Sequence, residues 1–391
     1  MTPAGRLQAV IEILDQVVGS ARDDGPPADV IVTRYFKTRR YAGAKDRRAV
    51  RDLVFRAIRH VAERPGSGRA AILGLAEIEP DLLTHFGEAR GPEPIGVDEE
   101  SAASGDVPAW LIEELSPLVG ADEWPALLER APLDLRVNIA RTDRETMLAA
   151  FDGAEATPLS PWGLRLPCES KVDDHPAFIG GLVEVQDEGS QLIALACRAQ
   201  PEDVIVDLCA GAGGKALALA AATGNRAEII ACDTNRSRLS KLPSRARRAG
   251  ASIELRLIDG GREVEQLADL QDAADIVLVD APCSGSGTWR RNPEGRWRLT
   301  PERLNTSAAL QARILDLAEP LVKPGGRLVY AVCSLMSREG AGQIDAFLSR
   351  HSSWTAEETP IEAGRSAGGG QLLTPAHDST DGFFVASLIR K

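Results

Sequence analysis

Two cysteines carry the chemistry legible in this chain. Cys283 stands in Asp280-Ala-Pro-Cys-Ser-Gly-Ser-Gly287, and Cys333 in Tyr330-Ala-Val-Cys-Ser334. Each follows an apolar, β-branched run, and each is followed by Ser and by chain that cannot stay in a strand. Thiols at the ends of two strands are well placed to meet over one pocket. The reactive form is the thiolate, a nucleophile accessible near neutral pH. Upstream lies a glycine-rich turn, Asp207-Leu-Cys-Ala-Gly-Ala-Gly-Gly-Lys215. The combination predicts thiol chemistry on something held beside a nucleotide-like cofactor.

That turn joins a strand candidate, Val204–Cys209, to a helix candidate, Lys215–Ala222. Glycines let backbone approach a ligand closely, and a helix N-terminus favours polar or anionic groups. Asp233 ends the next strand candidate, where an acid binds ribose hydroxyls in dinucleotide-type sheets. Asp259 and Asp280 end the third and fourth. Any one of these acids can also be a turn or cap residue. The turn is not a phosphate-binding loop, because Ala216 after Lys215 offers no hydroxyl for magnesium. It also lacks the dinucleotide glycine spacing. Acids at successive strand ends favour a cofactor with a ribose and an amino-acid tail, S-adenosylmethionine.

The elements that must position these residues form an α/β pattern. Strand candidates Val204–Cys209, Ile229–Asp233, Ile253–Asp259, Ile276–Asp280 and Arg327–Cys333 alternate with helices Lys215–Ala222, Ser237–Ala249 and Thr306–Leu321. Gly382–Ile389 reads as a last strand. Near-continuous apolar strands between helices predict a parallel sheet covered on both faces, over residues 171–391. Residues 131–170 read as a small α+β linker, with strands Leu133–Ile139 and Gly163–Leu166 and helix Arg144–Phe151. Residues 1–130 read as helical, with Arg6–Val18, Asp46–Glu63 and shorter pieces at 69–78, 108–119 and 123–130. Arg90–Asp106 reads as a loop.

A chain of 391 residues, 43% hydrophobic, suits two or three folded domains. It has no apolar run long enough for a membrane span and no signal-peptide pattern, so a cytoplasmic location is expected. Cys168, Cys197, Cys209, Cys232, Cys283 and Cys333 form no Cys-x-x-Cys, so no metal is expected and the thiols should be free. The net charge of −12 argues against generic polyanion binding. Its distribution argues the other way. Arg34–Arg64, Arg236–Arg248 and the group Arg290, Arg291, Arg296, Arg298 and Arg303 are basic clusters suited to gripping a polyanion at chosen places. Solvated helix faces are the competing reading of each.

The stretch Asp280–Glu294 resembles the fourth motif of the Sun/Fmu (RsmB-type) 16S rRNA cytosine-C5 methyltransferases. Ala331-Val-Cys-Ser334 resembles their sixth motif, Val185–Leu192 and Asp207–Lys215 their cofactor-side motifs, and Asp381-Gly-Phe-Phe384 their closing strand. The resemblance covers residues 171–391. It implies a Rossmann-like methyltransferase domain with a mainly parallel seven-stranded sheet, and more loosely a NusB-like RNA-binding N-terminal domain. By resemblance, Cys333 is the nucleophile that attacks cytosine C6. Cys283 assists proton loss or release, and Asp280 hydrogen-bonds the base near N3. Cys209, Ala210, Gly211, Ala212, Gly213, Gly214, Lys215, Asp233, Arg238, Asp259 and Asp280 are implied to contact S-adenosylmethionine. Arg290 and Arg291 are implied RNA-phosphate ligands. The expected partner is RNA, small-subunit rRNA by default, bound by a monomer. Three positions depart from the family pattern: Ala212 replaces Pro, Val332 replaces Thr, and Gly340 replaces Asn after Glu339. The competing readings are a tRNA substrate, a non-catalytic RNA-binding assembly factor, an amino-group methyltransferase and a nicotinamide oxidoreductase.

Overall fold

The computed structural model describes residues 1–391, and the chain divides into two compact units. The first comprises Met1–Leu115, Gly120–Glu129 and Thr288–Pro301; the second comprises Ser116–Val119, Arg130–Gly287 and Glu302–Lys391.

The first unit is built on helices α1 (Pro3–Arg22), α2 (Ala28–Lys37), α3 (Ala44–His60) and α4 (Gly68–Leu75). Thr2 caps α1 by accepting the Gly5 N–H at 3.1 Å, and Pro3 supplies the preset first turn. Leu7, Val10, Leu14 and Val17 recur at helical spacing and are buried. Helix α2 escaped the sequence reading because its cations obscure a narrow apolar face of Ile31, Val32, Tyr35 and Phe36. The pieces expected at 108–119 and 123–130 are only 3-10 turns, Ala109–Glu114 and Trp124–Leu127. Pro108, Pro117 and Pro125 remove donors that longer helices need.

The third segment of this unit corrects one of the basic clusters. Trp297 is buried in the core formed by α1–α4, and its indole N–H donates to the Val61 carbonyl at 3.0 Å. The buried Arg296 guanidinium donates to the carbonyls of Ile58 and Asp106, both at 2.6 Å. Arg298 donates to the carbonyls of Gly25 and Pro26. Glu294 accepts the Ala28 N–H at the start of α2, at 2.9 Å. Arg296 and Arg298 therefore hold backbone rather than a polyanion. Arg290 is also buried, at 5% exposure, so it cannot serve as a surface phosphate ligand; Arg291 is exposed.

The second unit contains two sheets. The smaller joins β1 (Leu133–Val137), β2 (Glu155–Ala156), β3 (Gly163–Leu166) and β4 (Val183–Val185) in the antiparallel order β2-β3-β1-β4. It packs with helix α5 (Arg144–Ala150) around Leu135, Val137, Met147 and Leu164. Its fourth strand lies beyond residue 170, where the sequence reading had placed the end of the linker.

The larger sheet contains β5 (Val204–Asp207), β6 (Glu228–Asp233), β7 (Glu254–Leu257), β8 (Ala274–Asp280), β9 (Val322–Val332), β10 (Trp354–Glu357), β11 (Arg365–Ala367), β12 (Gly370–Leu373) and β13 (Phe383–Arg390). The order is β11-β12-β13-β9-β8-β5-β6-β7, with β10 also pairing β13. Strands β9, β8, β5, β6 and β7 are parallel to one another; every pairing of β10 to β13 is antiparallel. The sheet thus has nine strands and is mixed, against the expectation of seven, mainly parallel. The strands not anticipated are β10, β11 and β12, whose three or four residues carry no β-branched run.

Helices α6 (Glu188–Ala196), α7 (Gly214–Ala222), α8 (Leu242–Ala249), α9 (Pro301–Ala318) and α10 (Ala341–Arg350) belong to this region of the chain. The helix expected at 237–249 is broken near Lys241, because Pro243 fits only a first turn. No helix is long and apolar enough to cross a membrane.

Candidate active site

A cavity of about 780 Å³ opens where the parallel strands end. Open α/β sheets bind ligands outside the carboxyl ends of their strands, at the point where strand order reverses. Here that point is β5, with β6 on one side and β8 on the other.

The glycine turn forms one wall. Gly211 and Gly213 have φ of +57° and +81°, conformations that L side chains rarely adopt. At Gly213 a Cβ would also lie 2.2 Å from Leu242. Ala212 and Gly214 line the cavity too, and Ala212 keeps the turn intact without the family's proline. Cys209 lines the cavity, but burial, with Asp207 and Asp280, holds its thiol well above the usual thiol range. It is a wall residue rather than a reactive one.

Asp233 braces this turn. Its two carboxylate oxygens accept the Gly211 N–H at 2.7 Å and the Asn235 N–H at 2.6 Å. A carboxylate offers about four acceptor positions, so capacity remains for ligand hydroxyls. Arg238 lines the cavity with its guanidinium 3.8 Å from the Cβ position of Gly211. Asp259 is not brought to the cavity. It is exposed, and its carboxylate accepts from Gln266 Nε2 at 3.1 Å, while its neighbours Ile258 and Gly260 form the wall.

Asp207 is the most unusual group. It is 1% exposed, and its carboxylate has no side-chain hydrogen-bond partner; the Ala216 backbone N–H favours its charged form. Burial, with Asp280 and Asp233 nearby, pushes it up to about 7. A buried acid facing a cavity with no side-chain partner is a candidate seat for a cationic group.

The candidate reacting groups also line the cavity. Lys215 Nζ donates to Asp280 Oδ2 at 2.6 Å. Burial alone would push the Lys215 ammonium down; Asp280 and the Cys333 sulfur reverse this, and the net shift is upward. The sulfurs of Cys283 and Cys333 are 3.4 Å apart. Contact with Cys333, followed by burial and the charge of Glu339, drives Cys283 well above its usual range. Cys283 therefore keeps its proton while the pair is intact. By contrast Cys197 and Cys232 are core thiols, each pushed up to about 12 by burial.

Sequence reading missed the opposite face of the cavity. Leu310, Ile314 and Leu317 of α9 line it, with Arg313 paired to Glu263 at 2.7 Å. Their signal was the apolar spacing of four and three residues along a helix, which identifies a packed face but not what it faces.

The comparisons with known proteins agree with this geometry. A family model described as "16S rRNA methyltransferase RsmB/F" matches residues 194–389. The chain is 33% identical to a probable ribosomal RNA small subunit methyltransferase B of Synechocystis sp., covering 81% of this chain and 74% of that protein. It is 36% identical to ribosomal RNA small subunit methyltransferase B of Enterobacter sp., covering 73% and 66% respectively. The fold is similar to the crystal structure of PH0851, with a TM-score of 0.76 at 23% identity over 99% of each chain. It is also similar to NSun6 from Pyrococcus horikoshii with SFG, with a TM-score of 0.64 at 21% identity over 72% and 98%. A glycine turn, an acid–lysine pair and two adjoining thiols thus lie within the matched residues, and the chain belongs to the 16S rRNA methyltransferase RsmB/F family.

Proposed function

We propose that the protein is an S-adenosylmethionine-dependent RNA cytosine-C5 methyltransferase acting on small-subunit rRNA. The observation that carries this reading is the 3.4 Å pairing of the Cys283 and Cys333 sulfurs, on the same cavity as the 2.6 Å Lys215–Asp280 pair.

The cavity residues fit the cofactor. The buried Asp207 would take its ammonium group and the remaining acceptor capacity of Asp233 its ribose hydroxyls. The backbone of Gly211–Gly214 would lie against it, and Ile258, Leu310 and Ile314 offer an apolar slot for its base. When bound, S-adenosylmethionine supplies an electrophilic methyl group.

The chain's own residues do the rest. Cytosine C5 is a poor nucleophile until a group adds at C6. The Cys333 thiolate forms a sulfur–C6 bond, and electron density moves into the ring toward C5 and N3. The Lys215 ammonium lies within electrostatic reach of the Cys333 sulfur. Asp280 is the group assigned to N3: once carrying a proton, it would donate it to N3 and so offset the charge developing there. After C5 gains a methyl group, its proton must leave. The largest restraint on Cys283 is its contact with Cys333, and a Cys333 sulfur bonded to C6 no longer carries a charge that opposes ionisation of its neighbour. Cys283 must first give its own proton to solvent; as a thiolate it then accepts the C5 proton. The electrons left at C5 expel Cys333 as a thiolate, restoring the enzyme.

RNA contacts would come from the exposed cations of the helical unit, Arg34, Lys37, Arg40, Lys45, Arg47, Arg48 and Arg51, together with Arg291. Bisulfite sequencing of rRNA from cells lacking this protein tests the reading. Loss of protection at one small-subunit cytosine is expected, restored by the wild-type protein and not by Cys333→Ala. Unchanged methylation throughout the small subunit would overturn the assignment.

A further inference from the structure

The two cysteine turns are held together by a residue that touches neither sulfur. Glu339, in the turn before α10, is fully buried. Its Oε1 accepts the Ser284 N–H and the Gln311 side-chain amide, both at 2.9 Å. Its Oε2 accepts the Ser334 hydroxyl at 2.6 Å. Ser284 directly follows Cys283, and Ser334 directly follows Cys333. Gln311 of α9 also donates to the carbonyl of Pro282, at 2.9 Å, so the chain on both sides of Cys283 is tied to the same carboxylate. A second layer locks the turns: the Ser286 hydroxyl accepts the Leu335 N–H at 2.8 Å and lies 3.3 Å from the Ser334 hydroxyl.

Three donors from three separate segments converge on one acceptor-only group. The turn itself is rigid at both ends of Glu339. The Tyr330 hydroxyl donates to the Glu339 carbonyl at 2.7 Å. A Cβ on Gly340 would meet the Phe384 ring at 2.8 Å, so a larger residue after Glu339 would require that ring to shift.

We infer that Glu339 is a positioning residue, setting the separation of the Cys283 and Cys333 sulfurs and so the alignment of nucleophile with proton acceptor. The inference rests on the proposed methyl transfer for its consequence, but the clamp itself is testable without turnover. Two thiols 3.4 Å apart can both bind the arsenic of phenylarsine oxide, releasing one water as two sulfur–arsenic bonds form. Wild-type protein should take up one equivalent in a manner that requires both Cys283 and Cys333.

Glu339→Ala should weaken that capture about tenfold or more, and should lower kcat by about 10²-fold, the scale of a misplacement near 1 Å. S-adenosylmethionine affinity should stay within about twofold, because Glu339 lies outside the cavity lining. Glu339→Gln can still accept from Ser284 and Gln311 while donating to Ser334, so it should retain arsenical capture and recover most of kcat. Should Glu339→Ala fail to bind cofactor at all, Ser334→Ala removes a single tie and should give an intermediate loss of both capture and kcat.

Wild-type arsenical capture in folded Glu339→Ala, or in Ser334→Ala where the first variant does not fold, would overturn the inference. So would a Glu339→Gln variant as impaired in capture as Glu339→Ala. If wild type captures the arsenical but methylates no RNA, the proposed function fails and the clamp stands.

Discussion

Asp207→Asn should make the cofactor-free protein more stable at alkaline pH while impairing cofactor binding. The acid is 1% exposed, its oxygens have no side-chain partner, and burial pushes it from 3.8 up to about 7. Below pH 3.8 both folded and unfolded chains hold this proton. Between there and about 7 only the folded chain does, so stability falls as pH rises. Above about 7 the whole loss is in place, about 4 kcal/mol at one proton per pH unit. The amide has no charge to lose, but its buried donors cost about 1–3 kcal/mol. The difference in unfolding free energy between variant and wild type should therefore move in the variant's favour by about 2–3 kcal/mol from pH 5 to pH 8. Urea melts at fixed ionic strength measure this, provided the denaturant slope is unchanged. In the same samples, S-adenosylmethionine should stabilise wild type more than the variant, since only the acid pairs with an ammonium group. A stability difference that is flat from pH 5 to pH 8 would refute the reasoning about the buried charge. Equal stabilisation of both proteins by cofactor would refute the seat assigned to its ammonium group.

The remaining predictions concern other parts of the chain. Arg296→Ala removes a buried guanidinium that serves the carbonyls of Ile58 and Asp106, and should destabilise the protein by about 3 kcal/mol in denaturant melts. Arg291→Ala should leave stability within about 0.5 kcal/mol and weaken RNA binding in a salt-dependent way. Asp233→Ala should weaken S-adenosylmethionine binding by about tenfold or more in titration calorimetry, because the Gly211 and Asn235 N–H groups lose their acceptor. Asp259→Ala, which disturbs only an exposed pair with Gln266, should change that affinity by less than about threefold.

The candidate site was legible because its residues come in short runs with fixed local consequences. Asp280-Ala-Pro-Cys283 and Val332-Cys-Ser334 each end a strand, and the parallel order of β8 and β9 brings the two ends together. Glycine at 211 and 213 announces left-handed backbone in the sequence itself. What stayed hidden depends on contacts distant along the chain. Nothing local in Trp297 or Arg296 shows that residues 288–301 belong with α1–α4. Arg290 and Arg291 are chemically alike and adjacent, and only packing makes one buried and the other exposed. Asp259 follows its strand as Asp233 ends its own, but the chain bends so that the flanking Ile258 and Gly260, not the acid, meet the cavity. Glu339 sits six residues after Cys333 in an ordinary polar stretch, and its four polar contacts emerge only when three segments converge.

The central claim is that the paired thiols divide one reaction, with Cys333 bonding the base and Cys283 handling the proton. Incubation of the protein with S-adenosylmethionine and small-subunit rRNA carrying 5-fluorocytidine, followed by nuclease and protease digestion, addresses it directly. Fluorine cannot leave C5 as a proton does, so the covalent adduct should persist and mass spectrometry should place the modified nucleotide on the Cys333 peptide. With ordinary rRNA, Cys283→Ala should accumulate the same adduct and Cys333→Ala should form none. A nucleotide found on Cys283, or an adduct in Cys333→Ala, would contradict the account.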